Sequence, residues 1–246
     1  HANLKNLITF KRHGKVTASR LPSKFLRNYR KDCPICVAMK MRRKSLPKGS
    51  NSAHELDHLV PWEEVFTDSS GKFRRKSKQG NNYFTVFVCA KTGDKIAIPH
   101  VKRKHFPLVY FEFSKRIGRH PKVMYSDLAS EINSSLFERY LLVKGVNHVN
   151  VPRGEHHSIG VAEKAIQDLS NMMRCMLADS NVPGIYWDFV IEHAALVNSM
   201  ITPSISDKTK TIFEAVWDVI PNIDLVPPIG CFCARLMDNS AREDWK

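Results

Sequence analysis

Long apolar runs are missing from this sequence of 246 residues; the longest strong one spans 83–90, well short of the roughly 18 to 20 residues a membrane span requires. No charged-then-apolar signal opens the chain, so a soluble intracellular protein is expected. Glycine and proline are sparse, 11 and 13 residues, and 43% of the sequence is hydrophobic, which excludes a disordered chain and leaves one large domain, or a core domain with small appendages, to bury a sizeable core. An initiating Met is also lacking: the chain begins at His1 and is expected to be cut from something longer.

Acidic residues are in deficit, 24 against 38 Lys and Arg, a formal charge of +14. The deficit is local. Residues 1–50 hold 14 basic residues and one acidic, and residues 72–122 hold 14 basic and two acidic, whereas residues 51–71 carry −5 and residues 123–246 carry −6. Positive blocks beside acidic stretches suit a polyanion held next to a site that needs carboxylates, although a solvated basic face has the same composition.

The six cysteines lack the spacing of a disulfide framework. Cys89, Cys175, Cys231 and Cys233 sit in apolar stretches and read as buried thiols. Only Cys33-Pro-Ile-Cys36 is a metal-type pair, whose thiolates can hold Zn²⁺ if two further ligands exist; His1 and His13 are upstream candidates, and two reduced surface cysteines are the alternative.

Hydrophobic periodicity supplies the architecture. Residues 47–52 read as a linker after a small basic module. Strands are expected at 65–68, 83–89 and 95–101, then a helix at 105–117, a strand at 123–126, a helix at 135–144, a strand at 146–151, a long helix at 158–178 and another at 185–198. That order describes a mixed α/β fold around one central sheet.

On it, Asp68 ends the first strand, Asp127 follows the fourth directly, and Glu163 lies in the first turns of the long helix, with 35 residues between it and Asp127. Strand ends and a helix start can converge at one sheet edge. Three carboxylates there repel one another unless cations fill the site, and hard Mg²⁺ or Mn²⁺ takes such oxygen ligands while leaving positions open for phosphate. Asp57 and Asp94 compete for the first position, but Asp57 precedes the β-rich core and Asp94 falls in a turn. His54-Glu55-Leu56-Asp57-His58 matches the zinc-protease pattern H-E-x-x-H, yet Pro47, Gly49 and Pro61 leave it too little helix.

Lys72, Arg74, Arg75, Lys76 and Lys78 form a loop fit for phosphates, and 102–104 another. Lys164, Gln167, Asn171 and Arg174 give the Glu163 helix a polar face that suits a DNA backbone. Ordinary solvated turns and helix faces have the same composition. His156 and His157 have the chemistry of metal ligands, but beside Glu163 they better suit an approach to DNA or support of the active-site loop.

The Asp68, Asp127, Glu163 spacing, the stretch Pro152-Arg-Gly-Glu-His-His-Ser-Ile-Gly-Val-Ala-Glu163-Lys164, and the later Thr211-Ile-Phe-Glu214-Ala and Ile229-Gly-Cys231 resemble the integrase segment of copia-type LTR retrotransposon polyproteins. The resemblance covers about residues 1–235. It implies a ribonuclease-H-like mixed five-stranded sheet flanked by helices, with Asp68, Asp127 and Glu163 as a metal-binding catalytic triad. It also implies a partial zinc-binding module over residues 1–50 using His1, Cys33 and Cys36, a catalytic core over 58–205, and the start of a following region over 206–246. The implied activity is metal-dependent DNA 3′-end processing and strand transfer by a homo-oligomer on element ends and target DNA, in the nucleus after a cytoplasmic particle stage. Two departures stand out. The family's Asp-Asn-Gly-Gly-Glu-Phe is here Asp127-Leu-Ala-Ser-Glu131-Ile, with less freedom to turn, and its Asn-Gly-Val-Ala-Glu-Arg is Ile159-Gly-Val-Ala-Glu163-Lys164. These keep open a second class of function, a degenerate nucleic-acid-binding remnant.

Overall fold

The computed structural model describes residues 59–127, 135–151 and 156–231, together with Gly14; the side chains of Ser135 and of 156–159 are outside that description. Ten main elements follow in order: β1 (Glu64–Ser69), β2 (Tyr83–Cys89), β3 (Lys95–His100), α1 (Phe106–Ile117), β4 (Val123–Ser126), α2 (Ser135–Val143), β5 (Asn147–Asn150), α3 (His156–Ser180), α4 (Trp187–Ile201) and α5 (Ile212–Trp217). The expected elements all occur, within a few residues of the bounds read from periodicity. The short helix α5 has no counterpart among them: Thr211 caps it by accepting from the Glu214 amide at 3.0 Å, and Ile212 is buried.

The strands form one sheet in the order β3-β2-β1-β4-β5. β1, β2 and β3 pair antiparallel, joined by the loop over 70–82 and the short turn over 90–94, while β4 joins β1 and β5 joins β4 in parallel across helical connections.

Alternation along the strands divides two cores. Val65, Phe87, Cys89, Ile98 and Met124 face α1 and α2, where they meet Phe106, Val109, Tyr110, Phe113, Phe137 and Leu141. Phe84, Val86, Val88 and Ala97 face the other way, onto Ala162, Ala165, Leu169 and Met173 of α3 and Val190, Ile191 and Ala195 of α4. Both layers are needed because the strands are apolar on both faces. On the first, Phe87 and Phe113 stack with ring centroids 4.0 Å apart and planes 7° from parallel. Helix α1 starts with Pro107 in its first turn and stops at Gly118, whose φ of 71° closes the helix in the left-handed region that an L side chain adopts only with strain.

The cysteines divide by position. Cys89 and Cys175 are buried, as the sequence suggests, and Cys89 Sγ accepts from the Trp62 amide at 3.1 Å. Cys231 is exposed, contrary to the buried-thiol reading: it follows the turn at Gly230, where its amide bonds to the Pro228 carbonyl instead of continuing an apolar element. Among the described residues no helix is long and apolar enough to cross a membrane.

The Phe87 and Phe113 stack sits at the centre of the α1 face. Phe113→Ala should destabilise the fold by about 3–5 kcal/mol. A chemical-denaturation midpoint unchanged from wild type would contradict this placement.

Candidate active site at the edge of the sheet

The site follows from the register between β1 and β4. Their last paired residues are Thr67 and Ser126, so the next two, Asp68 and Asp127, stand side by side where the parallel strands end. Asp68 falls on the same side of β1 as Phe66, which packs with the α3 and α4 core, and α3 brings Glu163 over that side in its second turn. The Asp68 carboxylate is partly buried, with the Ser69 amide donating to Oδ1 at 2.7 Å.

Electrostatics report the same proximity. The Asp68 carboxyl is pushed up to about 6, first by burial, then by the negative charge of Asp127 and, more weakly, of Glu163; the Ser69 amide and the Arg103 guanidinium oppose the rise. The other two carboxylates therefore both act on Asp68. Glu163 is exposed, and among the described residues no three His, Cys, Asp or Glu side chains come close enough together to hold a metal ion. The donor set is all oxygen and carries excess negative charge, which fits a hard divalent cation better than zinc.

Asp94 is excluded from this edge. It lies in the β2–β3 turn at the opposite end of the strands, near Glu64, whose carbonyl accepts from Ala90; burial pushes its carboxyl up. The alternative Asp57, the His54–His58 segment, and His1, His13, Cys33 and Cys36 lie outside the described residues, as do the side chains of His156 and His157.

The basic loop after β1 is built against the rest of the fold. Phe73 stacks on Trp187 at 4.0 Å with planes 3° apart, Trp187 Nε1 donates to the Arg75 carbonyl at 3.2 Å, and the Lys78 amide donates to the Ile185 carbonyl at 2.7 Å. Asn81 Nδ2 donates to the buried Asp188 at 3.0 Å. These ties leave Lys72, Arg74, Arg75, Lys76 and Lys78 exposed on an anchored loop.

On α3, Lys164 and Gln167 are exposed, with Lys164 ion-paired to Asp168 at 2.9 Å. Arg174 is exposed too, but Asn171 is buried and accepts from its guanidinium, which removes Asn171 from the polar face expected of it. The sequence offers Arg103 only as one base in a run. Its guanidinium lies over the Tyr83 ring, 5.6 Å from the centroid, and donates to the Ser70 carbonyl at 3.4 Å, within electrostatic reach of Asp68. Nothing in a run of bases distinguishes the one that the β3–α1 turn sets within electrostatic reach of Asp68.

A mixed five-stranded sheet of this order, with acidic groups at the ends of its central parallel pair, is the fold that solved integrase catalytic cores share. The HTLV-2 integrase catalytic core domain in complex with magnesium, in its trimeric form, superposes with a TM-score of 0.51 at 17% identity, covering 64% of this chain and 97% of that one. A chain of the simian T-cell lymphotropic virus intasome in complex with PP2A regulatory subunit B56 gamma gives 0.55 at 16% identity, over 80% of this chain and 66% of that one. No family model matches the sequence. The retrovirus-related Pol polyprotein from transposon TNT 1-94 of Nicotiana tabacum is 28% identical over 198 residues, which cover 76% of this chain but only 14% of that polyprotein. In sequence and fold together, the chain resembles the integrase region of a copia-type retrotransposon polyprotein.

The raised Asp68 carboxyl has a consequence for stability. A carboxyl elevated by folding costs nothing below its unfolded value near 4, where it is protonated in both states, and costs increasingly as pH rises through about 6. Asp68→Asn should therefore melt several degrees above wild type at pH 7–8, with the difference vanishing below pH 4. A pH-independent difference in thermal melts would show that the cost of ionising the partly buried Asp68 carboxyl is not its source.

Proposed function

We propose that the chain is a polynucleotidyl transferase of the integrase kind, carrying out metal-dependent DNA 3′-end processing and strand transfer, with Asp68, Asp127 and Glu163 as the carboxylates that hold Mg²⁺ or Mn²⁺. The observation that carries this reading is the register of β1 and β4, which brings Asp68 and Asp127 side by side at one sheet edge, within electrostatic reach of Glu163. A cation bound there supplies Lewis acidity for in-line phosphoryl transfer. The chain's own part is to bring DNA to that edge. Lys72, Arg74, Arg75 and Lys76 on the anchored loop, and Lys164, Gln167 and Arg174 on α3, offer phosphate contacts on elements that also carry or adjoin Asp68 and Glu163. The carboxylate edge is acidic and its surroundings basic, so a phosphate backbone is attracted to the rim while the reacting group is left facing the carboxylates.

In this reading residues 1–50 are a partial zinc-binding module using His1, Cys33 and Cys36, residues 58–205 are the catalytic core, and residues 206–246 begin the next region of the polyprotein. The protein acts as a homo-oligomer on element ends and target DNA, in the nucleus after a cytoplasmic particle stage.

Strand transfer assayed on pre-processed DNA ends with Mg²⁺ or Mn²⁺ tests the reading. Wild type should join ends to target DNA and Glu163→Gln should fall to background with DNA affinity retained. Turnover by Glu163→Gln equal to wild type would remove the carboxylate assignment; an inactive wild type that still binds DNA in a salt-sensitive way would identify a degenerate remnant. Replacing Arg74 and Arg75 by Ala should lower the slope of log affinity against log salt by roughly one for each phosphate no longer neutralised.

A further inference from the structure

Beneath the carboxylate edge, on the opposite face of the sheet, a polar row crosses all five strands where an apolar core would otherwise continue. Ser69 Oγ lies 2.8 Å from Thr85 Oγ1, Thr85 Oγ1 lies 3.0 Å from His100 Nε2, and His100 Nδ1 lies 3.0 Å from the Lys102 carbonyl. On the other side of β1, Ser126 Oγ lies 2.8 Å from His148 Nε2. Ser69 follows Asp68 directly and Ser126 precedes Asp127 directly, so each aspartate has a serine neighbour tied to a histidine of an outer strand. Thr67 stands between the two ties on the same face, its hydroxyl buried without a hydrogen bond among the described residues.

The direction of the longer chain is fixed by chemistry. A carbonyl only accepts, so His100 Nδ1 donates to Lys102. Burial holds the His100 ring below its usual range, hence neutral at pH 7, and Nε2 is then an acceptor. Thr85 must donate to it, leaving Ser69 to donate to Thr85. Ser69, Thr85 and His100 are all buried, so water cannot replace a missing member. At its far end the chain holds the Lys102 carbonyl at the start of the turn that carries Arg103, and Arg103 reaches back to the Ser70 carbonyl.

We infer that Ser69, Thr85 and His100, with Ser126 and His148 as the shorter counterpart, are positioning residues that fix the backbone ends of β1 and β4 and thereby the aim of Asp68 and Asp127. The inference rests on the proposed catalytic role of that edge. The side chains of the row lie across the sheet from the carboxylates, so their effect passes through the backbone. Fixing Ser69 fixes its amide, which donates to Asp68 Oδ1. Hydroxyl and imidazole groups at these inward positions contribute less to packing than apolar residues of the same volume, which makes a geometric role the physical reason for their presence.

The test uses the full chain carrying Thr85→Val, Thr85→Ser, or the double change Thr85→Val with His100→Phe, which removes the Thr85 donor and its His100 acceptor together and should cost less stability than Thr85→Val alone. With thermal melts as the check on folding, Thr85→Val and the double variant should lose about tenfold in strand-transfer rate, and Thr85→Ser, which keeps the hydroxyl, should stay within about threefold. DNA affinity should not move. Calorimetry with Mn²⁺ alone should show weaker binding by Thr85→Val and near-normal binding by Thr85→Ser. A folded double variant with wild-type rate and Mn²⁺ affinity would overturn the inference. If wild type neither turns over nor binds Mn²⁺, the catalytic reading fails instead. The row is then judged by amide exchange at Ser69 and Ser70: faster exchange in Thr85→Val than in Thr85→Ser supports its hold on β1, and equal exchange overturns it.

Discussion

Everything at the candidate site depends on the parallel pairing of β1 with β4. The ladder ends at Thr67 and Ser126 and so delivers two aspartates to the same level of the sheet, on the face that α3 covers. A slip of one residue would send either carboxylate into the opposite core, among Phe87 and Met124, where a charge is far more costly. The register is secured by burial on both faces: Val65 and Met124 lock one side, while Phe66 stacks on Tyr125 at 5.1 Å on the other. The functional edge is thus held in place by packing some distance from it.

Folding and chemistry pull in opposite directions there. The same packing that aligns the strands gathers like charges in a partly buried place, and the elevated Asp68 carboxyl records that tension. Arg103 and the Ser69 amide relieve part of it, and a divalent ion would relieve more. Strain at a site that a ligand can neutralise is how a fold keeps a binding site prepared.

Much of this is legible from residue patterns. The continuous β-branched and aromatic run Tyr83–Cys89 and the Ile, Ala and Leu spacing of α3 point to the layers, because both patterns reflect burial, which the final fold also obeys. The 35-residue interval between Asp127 and Glu163 points to the third carboxylate. Three things are not legible. Asn171 shares the polar chemistry of its neighbours, yet the turn of the helix points it inward. Cys231 looks like a core thiol in an apolar stretch, but a turn sets it outside. The Ser69, Thr85 and His100 row is spread over three strands, and only cross-strand register, absent from any local pattern, brings its members together.

The stack of Phe73 on Trp187 also sets a distance. The loop it anchors leaves β1 just after Asp68, while Trp187 opens the helix that follows α3 and its Glu163, so the stack ties the basic loop to the helix corner beside the carboxylates. Under the proposed function, a strand seated on Arg74, Arg75 and Lys76 would meet the carboxylates at a constant offset along its length. In that reading the fold would work as a ruler, in which an aromatic pair apart from the carboxylates sets which nucleotide lies over them.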